Sequence, residues 1–147
     1  MAETYQQLKV YKDLCEEVLA MPVIDGVKSE SEKFAGGDLT TTIEAMMHDG
    51  KALQSGTSHF LGQNFTKAFD INYSDRDGNT AFPYHTSWGA STRLIGGLIM
   101  THSDNRGLVL PPKVAPIQTV VLPIAFDKNE KVLEVTEKIS EDLKQKV

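Results

Sequence analysis

The stretch from Thr86 to His102, TSWGASTRLIGGLIMTH, limits the possible folds of this chain more than any other part of it. It begins as a short polar and aromatic run and then becomes apolar at helical spacing. Gly96 and Gly97 lie inside the predicted helix, at a cost of about 1 kcal/mol each relative to alanine. We therefore expect a thin helix that packs closely on a sheet. The residues on its apolar face are Leu94, Ile95, Leu98 and Ile99.

Arg93 lies in the first turn of this helix, beside Ser91 and Thr92, whose hydroxyls are suited to capping free N–H groups. A cation is unfavourable there because the N-terminus of a helix already carries partial positive charge. An anion bound by the guanidinium and the helix amides together would compensate. A plain surface arginine is the alternative, and the pattern leaves both open.

The composition is that of an ordinary globular protein. At 147 residues, with 40% hydrophobic and 24% charged residues, the chain is long enough for one domain with a real core. The net charge of −5 argues against a broad nucleic-acid surface, because phosphate binding needs clustered lysine and arginine. A small phosphate site built from one arginine and backbone amides stays possible.

The chain shows no sign of export or membrane insertion. Its apolar runs are shorter than the ~20 residues of a membrane span, and MAETYQQLK at the N-terminus lacks an apolar signal core. Cys15 is the single cysteine, so an internal disulfide is impossible. We therefore expect an intracellular, cytoplasmic protein.

The N-terminal residues predict a helix and a short strand. Residues 3–20 have amphipathic spacing, and Pro22 ends the helix. Cys15 falls on the apolar stripe, which indicates a buried, inert thiol rather than a nucleophile. A short strand follows at 23–24, closed by a turn at 25–26.

A polar connector and a hairpin come next. The connector spans 27–37, and Phe34 is its one large apolar residue, expected to anchor the loop on the core. The strands 39–47 and 51–58 flank the turn signal Asp49-Gly50. Alternation on the first strand points four side chains one way, and Glu44 among them is either solvated or a partner for an arginine or a substrate amine. The four are Thr40, Thr42, Glu44 and Met46.

The remaining segments complete an α+β prediction. We expect a helix over 59–69, a hairpin of 70–74 and 80–86, and a proline-rich linker over 109–118. A buried strand at 119–124 and an amphipathic helix at 130–146 would begin an α/β unit. The fold class is thus an antiparallel sheet with helices against one face, followed by the first strand and helix of an α/β domain.

The sequence QSGTSH brings together an amide, a hydroxyl and an imidazole, at Gln54, Thr57 and His59. If Gly56 breaks the strand alternation, the three side chains could line one cavity. They could equally be polar strand-end residues without a ligand. Trp88 is by default a core residue, and Gly89 would let a ligand approach the backbone closely.

No metal site is expected. The histidines outside QSGTSH, at positions 48, 85 and 102, lack metal-ligand spacing. Asp75 and Asp77 resemble the start of a calcium loop, but the later ligands are missing, which favours a hairpin turn.

Four segments together resemble the prolyl-tRNA synthetases among the class II aminoacyl-tRNA synthetases. SWGASTRLIGGLIMTH is similar to their motif 3. The other three are EKFAGGDLTTTIEAMM at 32–47, ALQSGTSHFLGQNFTKAF at 52–69 and DNRGLVLPPKVAPIQTVVLPI at 104–124. The similarity covers nearly the whole chain in order, and the run lacks an editing insertion, as in the archaeal and eukaryote-like form.

The resemblance implies roles for individual residues. Arg93 corresponds to the motif 3 arginine, implied to bind ATP and to be the catalytic residue, with Gln54 and Thr57 as further ATP ligands. Five residues are implied to shape the proline pocket. They are Phe34, His59, Ser87, Trp88 and Gly89.

The resemblance also implies a reaction and a domain layout. Proline and ATP, with Mg²⁺, would give prolyl-adenylate, and the prolyl group would pass to tRNA(Pro) in a homodimeric enzyme. Residues 1–108 would form the C-terminal part of the catalytic domain, and residues 119–147 would form the beginning of the anticodon-binding domain. Residues 109–118 would be the linker between them. Motifs 1 and 2 do not occur in the sequence, so we expect these residues alone to be inactive. A non-catalytic binding or regulatory module, or a domain that keeps the motifs only for packing, are the alternatives.

Overall fold

A four-stranded antiparallel sheet, in the order β1-β2-β3-β6, organises the first unit of the chain, Met1–Val114. The computed structural model describes residues 1–129 and 131–145. A separate two-stranded hairpin is formed by β4 and β5. The strands are β1 Ile24–Val27, β2 Leu39–Met46, β3 Ala52–Gly62, β4 Tyr73–Ser74, β5 Thr80–Ala81 and β6 His85–Gly89.

In this unit one helix precedes β1, one connects β3 to β4 and one follows β6. Helix α1, Ala2–Asp13, continues as a π-helical turn over Leu14–Val18. Helix α2 spans Asn64–Ala68, and α3 spans Arg93–His102. In the second unit, which begins at Ala115, helix α4 spans Lys131–Lys144.

One face of the sheet carries the core. Ile43 and Ala45 of β2 are buried there with Leu8, Cys15 and Met21 from the N-terminal segment. Leu53 of β3 and Leu94 of α3 pack against the same cluster. Both α1 and α3 therefore contribute to this side, and the opposite face of the sheet is left to polar side chains.

The N-terminal predictions are confirmed in outline and wrong at their ends. Cys15 is fully buried, as predicted. The helix ends at Val18, and Ala20 turns the chain with a φ of 49°, so the break precedes Pro22. Residues 25–26 were predicted as a turn, but they continue β1 because they pair with Ile43 and Thr42 of β2.

The hairpin with the Asp49-Gly50 turn is confirmed, but the helix predicted from His59 is not. Residues 59–62 extend β3, because this strand pairs with β2 along one edge and with β6 along the other. Those ladders satisfy backbone groups that a helix would otherwise have to pair within itself. The helix begins only at Asn64.

The strand predicted over 80–86 is divided in two. Thr80 and Ala81 pair with β4, and β6 begins at His85, with Pro83 between them. Proline lacks the N–H that a ladder requires, which explains the interruption. The Asp75 turn is confirmed, since its Oδ1 accepts the N–H groups of Asp77 and Asn79 at 3.0 and 2.8 Å.

Only one of the paired glycines allows close packing of α3. A Cβ at Gly97 would stand 3.0 Å from Leu53 Cδ2 and 3.1 Å from Met21 Sδ. Gly96 has no neighbour within 4 Å of its Cβ position, so the prediction that it too thins the contact is wrong. Leu98 is buried, whereas Ile95 is 62% exposed, so the apolar face is rotated from the predicted one.

The second unit contains the predicted helix without the predicted strand. Residues 119–124 form no strand, and the described part of this unit offers none for them to pair with. The ends predicted for the helix, Glu130 and Lys146, lie outside the described residues. The boundary between the units, after Val114, falls inside the predicted linker. None of the described helices is long and apolar enough to cross a membrane.

Candidate active site

The three polar residues of QSGTSH lie on one face of the sheet, opposite the core. Between Ile43 and Glu44 the pairing of β2 with β3 shifts by one, because Ser55 is an extra residue in β3. Such a bulge reverses the alternation on one side of it, so Gln54 and Thr57 face the same way despite their odd spacing. The cross-strand pairs on this polar face are Glu44 with Gln54, Thr42 with Thr57 and Thr40 with His59.

Strand β6 adds two of the three residues predicted from SWG. Gly89 pairs with Thr57 and Ser87 pairs with His59, so both stand at polar-face positions. Trp88 pairs with Ser58, which puts it at a register position of the core face. It lies on the edge strand and is 46% exposed. Its predicted place in the proline pocket stays a prediction.

Phe34 is brought against His59, as its predicted shared pocket requires. The two ring centroids are 5.1 Å apart and the rings are tilted by 44°. The connector before β2 is held by the Phe34 N–H, which donates to Thr40 Oγ1 at 3.1 Å. Phe65 of α2 lies 6.2 Å from Phe34 on the ring centroids. An aromatic wall therefore borders the imidazole.

The surroundings of the His59 imidazole disfavour its charged form. It is half-buried, and loss of solvent lowers its pKa, with the nearby positive charge of Lys28 lowering it further. Its Nδ1 lies 3.0 Å from Thr40 Oγ1. A neutral imidazole beside an aromatic ring suits contact with a small ligand of mixed polar and apolar character.

Glu44 has a defined partner in Lys28. The Lys28 Nζ lies 3.7 Å from Glu44 Oε1, and both side chains are partly buried. The Thr42 hydroxyl lies 3.4 Å from the same carboxylate and 3.3 Å from the Gly56 carbonyl. The sequence left Glu44 either solvated or paired with an arginine or a substrate amine, and the structure pairs it with a lysine instead.

Arg93 is the first residue of α3, in the helical turn where the sequence predicts it. Its Nη1 donates to the backbone carbonyl of Gln54 at 3.3 Å, and its N–H donates to Ser91 Oγ at 3.3 Å. Thr92 makes no capping bond. The side chain is exposed, so the guanidinium keeps donors free beside Gln54. Two residues predicted to bind one nucleotide are therefore neighbours.

Sequence reasoning missed Lys28 and the linking function of Thr40. Lys28 looked like one charge among several in a polar connector, and no local pattern marks the strand pairing that brings it to Glu44. Thr40 looked like one of three threonines in a strand. The alternation that placed it with Thr42 and Glu44 was the available signal.

The described part of the chain holds no group of three or more histidine, cysteine, aspartate or glutamate side chains that could bind a metal. The polar face offers hydrogen-bond donors and acceptors and one aromatic wall, and the exposed guanidinium of Arg93 reaches the backbone carbonyl of Gln54. Such an arrangement is suited to binding and orienting substrates.

No protein-family model matches the chain. Individual proteins do. It is 77% identical over 144 residues to proline–tRNA ligase 2 of Clostridioides difficile strain 630, covering 98% of this chain and 30% of that protein. It is 62% identical over 145 residues to the proline–tRNA ligase of Acetoanaerobium sticklandii, covering 99% of this chain and again 30% of the relative.

A solved structure agrees with these relatives. Prolyl-tRNA synthetase from Cryptosporidium parvum, complexed with L-proline and AMP, superimposes with a TM-score of 0.88 at 46% identity. The match covers 98% of this chain and 30% of that one. In sequence and in fold, therefore, this chain belongs to the prolyl-tRNA synthetases and corresponds to about 30% of the length of the relatives compared.

Proposed function

We propose that this chain supplies part of the active site of a proline–tRNA ligase. The observation that carries the proposal is the polar face, where the Ser55 bulge sets Gln54 and Thr57 beside His59. The solved relative of the same fold binds L-proline and AMP, which are one substrate and the nucleotide part of the expected intermediate. The proposed substrates are proline and ATP.

The residues divide into two groups on this proposal. Gln54, Thr57 and Arg93 would hold the nucleotide: the first two share the polar face, and Arg93 contacts the Gln54 carbonyl. The proline pocket would be formed next to them, around the aromatic contact described above. Its proposed members are Phe34, His59, Ser87, Trp88 and Gly89.

In the proposed reaction a proline carboxylate oxygen attacks the α-phosphorus of ATP. The bond to pyrophosphate breaks, pyrophosphate leaves, and prolyl-adenylate forms. Positioning and charge stabilisation would carry such catalysis. Arg93 would stabilise phosphate charge with a planar guanidinium, which suits phosphate oxygens better than a lysine does. No general base is required.

We propose that Mg²⁺ enters together with ATP, bound to its phosphates. Transfer of the prolyl group to tRNA(Pro) is a further part of the proposal, supported by the names of the relatives. A homodimeric assembly and a cytoplasmic location are parts that the family resemblance implies. A synthetase-like module that binds without catalysis is the alternative.

A chimera tests the proposal directly. This chain would replace the matching segment of the C. difficile relative, and proline-dependent ATP–pyrophosphate exchange would be measured. We expect activity in the chimera and none in the 147 residues alone. Exchange by the isolated chain would contradict the expected dependence on other segments, and a folded but inactive chimera would favour the binding module.

Arg93→Lys in the chimera tests the proposed catalytic residue. We expect single-turnover adenylate formation to fall by at least about tenfold, because the charge is kept but the bidentate geometry is lost. Arg76→Lys, in an exposed turn, is the matched control. Normal adenylate formation by Arg93→Lys would reject the role, and a lowered melting temperature would show a structural one.

Two further variants test the division into nucleotide and proline sites. His59→Ala should raise the KM for proline more than the KM for ATP, and Thr57→Val should do the reverse. The physical reason is that each deletes a polar group from one proposed subsite only. Thr80→Val and His48→Ala, both exposed and away from the polar face, serve as controls. Equal changes in both KM values would contradict the assignment.

A further inference from the structure

The hydroxyl of Thr40 is buried between two groups of the candidate site. Thr40 is 2% exposed. Its Oγ1 accepts the N–H of Phe34 at 3.1 Å and lies 3.0 Å from Nδ1 of His59. Across residues 1–129 and 131–145 these are its two hydrogen-bond partners. The site thus contains a short chain of bonds from the Phe34 backbone to the His59 ring.

The chemistry of a hydroxyl fixes the direction of this chain. A hydroxyl carries one hydrogen, and a buried hydrogen of this kind needs an acceptor. The Phe34 N–H is itself a donor and cannot accept it. Nδ1 of His59 is the acceptor that remains, so Nδ1 carries no proton. In a neutral ring the proton is then on Nε2.

The surroundings of the ring agree with a neutral imidazole. It is half-buried, the aromatic ring of Phe34 lies against it, and Lys28 is the nearby charge. In the part of the chain that the structure describes, no hydrogen bond engages Nε2. The one N–H donor of the ring is therefore available to a ligand.

We propose that Thr40 is a positioning residue that holds His59 in the tautomer protonated at Nε2, so that the ring presents a single donor to an oxygen acceptor of the ligand. A carboxylate or carbonyl oxygen fits this donor, whereas a protonated amine does not. The identity of the ligand as proline rests on the proposed function. The tautomer itself does not.

Nitrogen-15 NMR of the imidazole tests the tautomer on the 147-residue chain. The chain has 4 histidines, and His59→Gln identifies the signal of interest by its loss. We expect the wild-type ring to be protonated at Nε2 and unprotonated at Nδ1. Thr40→Ser keeps the hydroxyl and should keep this pattern, and Thr40→Val should give a mixture of tautomers. Thr80→Val, an exposed substitution of the same kind, should change nothing.

A wild-type ring protonated at Nδ1 would overturn the proposal, even if Thr40→Val failed to fold. A folded Thr40→Val with an unchanged tautomer would overturn it as well. Circular dichroism of Thr40→Val shows whether the variant is folded.

The chimera then connects the tautomer to the ligand. Loss of one ordered hydrogen bond corresponds to about a fivefold effect. Thr40→Val should raise the KM for proline by about fivefold and leave that for ATP unchanged, with Thr40→Ser close to wild type. If His59→Ala leaves the proline KM unchanged, the proline pocket of the proposed function fails. If His59→Ala raises it and Thr40→Val does not, the positioning role of Thr40 fails instead.

Discussion

At the residue scale, the groups packed around a side chain decide which of its charge states is favoured. His59 illustrates this best, because its strand places it between a buried hydroxyl and an aromatic ring, with a lysine near enough to act on its charge. The imidazole is therefore disfavoured as a cation in the folded state. This has a consequence for the pH dependence of stability.

We expect the first unit to lose stability as the pH falls. Burial and Lys28 lower the folded-state pKa of His59 below its unfolded value. The unfolded chain then binds more protons, so the contribution to stability is present above about pH 6.5 and is lost as the pH falls through the folded pKa. Urea denaturation between about pH 7 and pH 5 measures this.

His59→Gln should flatten that profile, and His48→Gln, in an exposed turn, should leave it as it is. A wild-type profile that stays level over this range, or one unaffected by His59→Gln, would contradict the expectation.

At the scale of elements, the close packing of helix α3 requires a glycine at position 97 but not at position 96. A Cβ added at Gly97 would stand 3.0 Å from the Leu53 side chain and 3.1 Å from the Met21 side chain, whereas a Cβ added at Gly96 would have no neighbour within 4 Å. Both stand in the same helix, so they form a matched pair. The close approach also explains how Arg93, four residues earlier, reaches the carbonyl of Gln54 on β3.

Gly96→Ala should stabilise the fold by up to about 1 kcal/mol, because alanine has the higher helix propensity and meets nothing. Gly97→Ala gains the same propensity but forces its fully buried neighbour Met21 to move. We expect it to be less stable than Gly96→Ala by more than about 1 kcal/mol. Thermal or urea unfolding gives both values, and equal stabilities would show that the contact is readily relieved.

The elements also show what could be read from sequence. The Asp49-Gly50 hairpin was predictable because the signal is local, and so was the glycine contact of α3, although not which glycine makes it. The length of β3 was not, because residues 59–62 are strand through their pairing with β2 and β6. Residues 119–124 have strand composition, but a strand forms only where a partner exists. For the site, the sequence could name Gln54, Thr57 and His59 as candidates, but the bulge that puts them on one face depends on the pairing with β2.

At the scale of the whole chain, Cys15 provides a probe of one unit alone. It is the single cysteine, it is fully buried in Met1–Val114, and burial, with a smaller effect of Glu16, raises the pKa of its thiol to about 11. The reactive thiolate is therefore scarce and inaccessible while this unit is folded.

We expect native Cys15 to react with maleimide or a disulfide reagent at least about a hundredfold more slowly than in urea-unfolded chain. The rate should follow the opening of the first unit. Val135→Ala, an exposed change in α4, should leave it unaffected, and Ile43→Ala, which removes a fully buried core side chain, should raise it. Rapid labelling of the native chain would show that the core around Cys15 opens easily.

The extra residue in β3, Ser55, changes which side chains of this strand face the same side of the sheet. Ser55 separates two stretches of the strand. Before it the even-numbered residues, such as Gln54, face the polar side, and after it the odd-numbered residues, such as Thr57 and His59, do so. Deleting Ser55 would place Gln54 and Thr57 two residues apart, so regular alternation would keep both on the polar face without a bulge. The face that Gln54 presents therefore depends on the bulge at Ser55, because a regular strand of the present length would turn Gln54 toward the core.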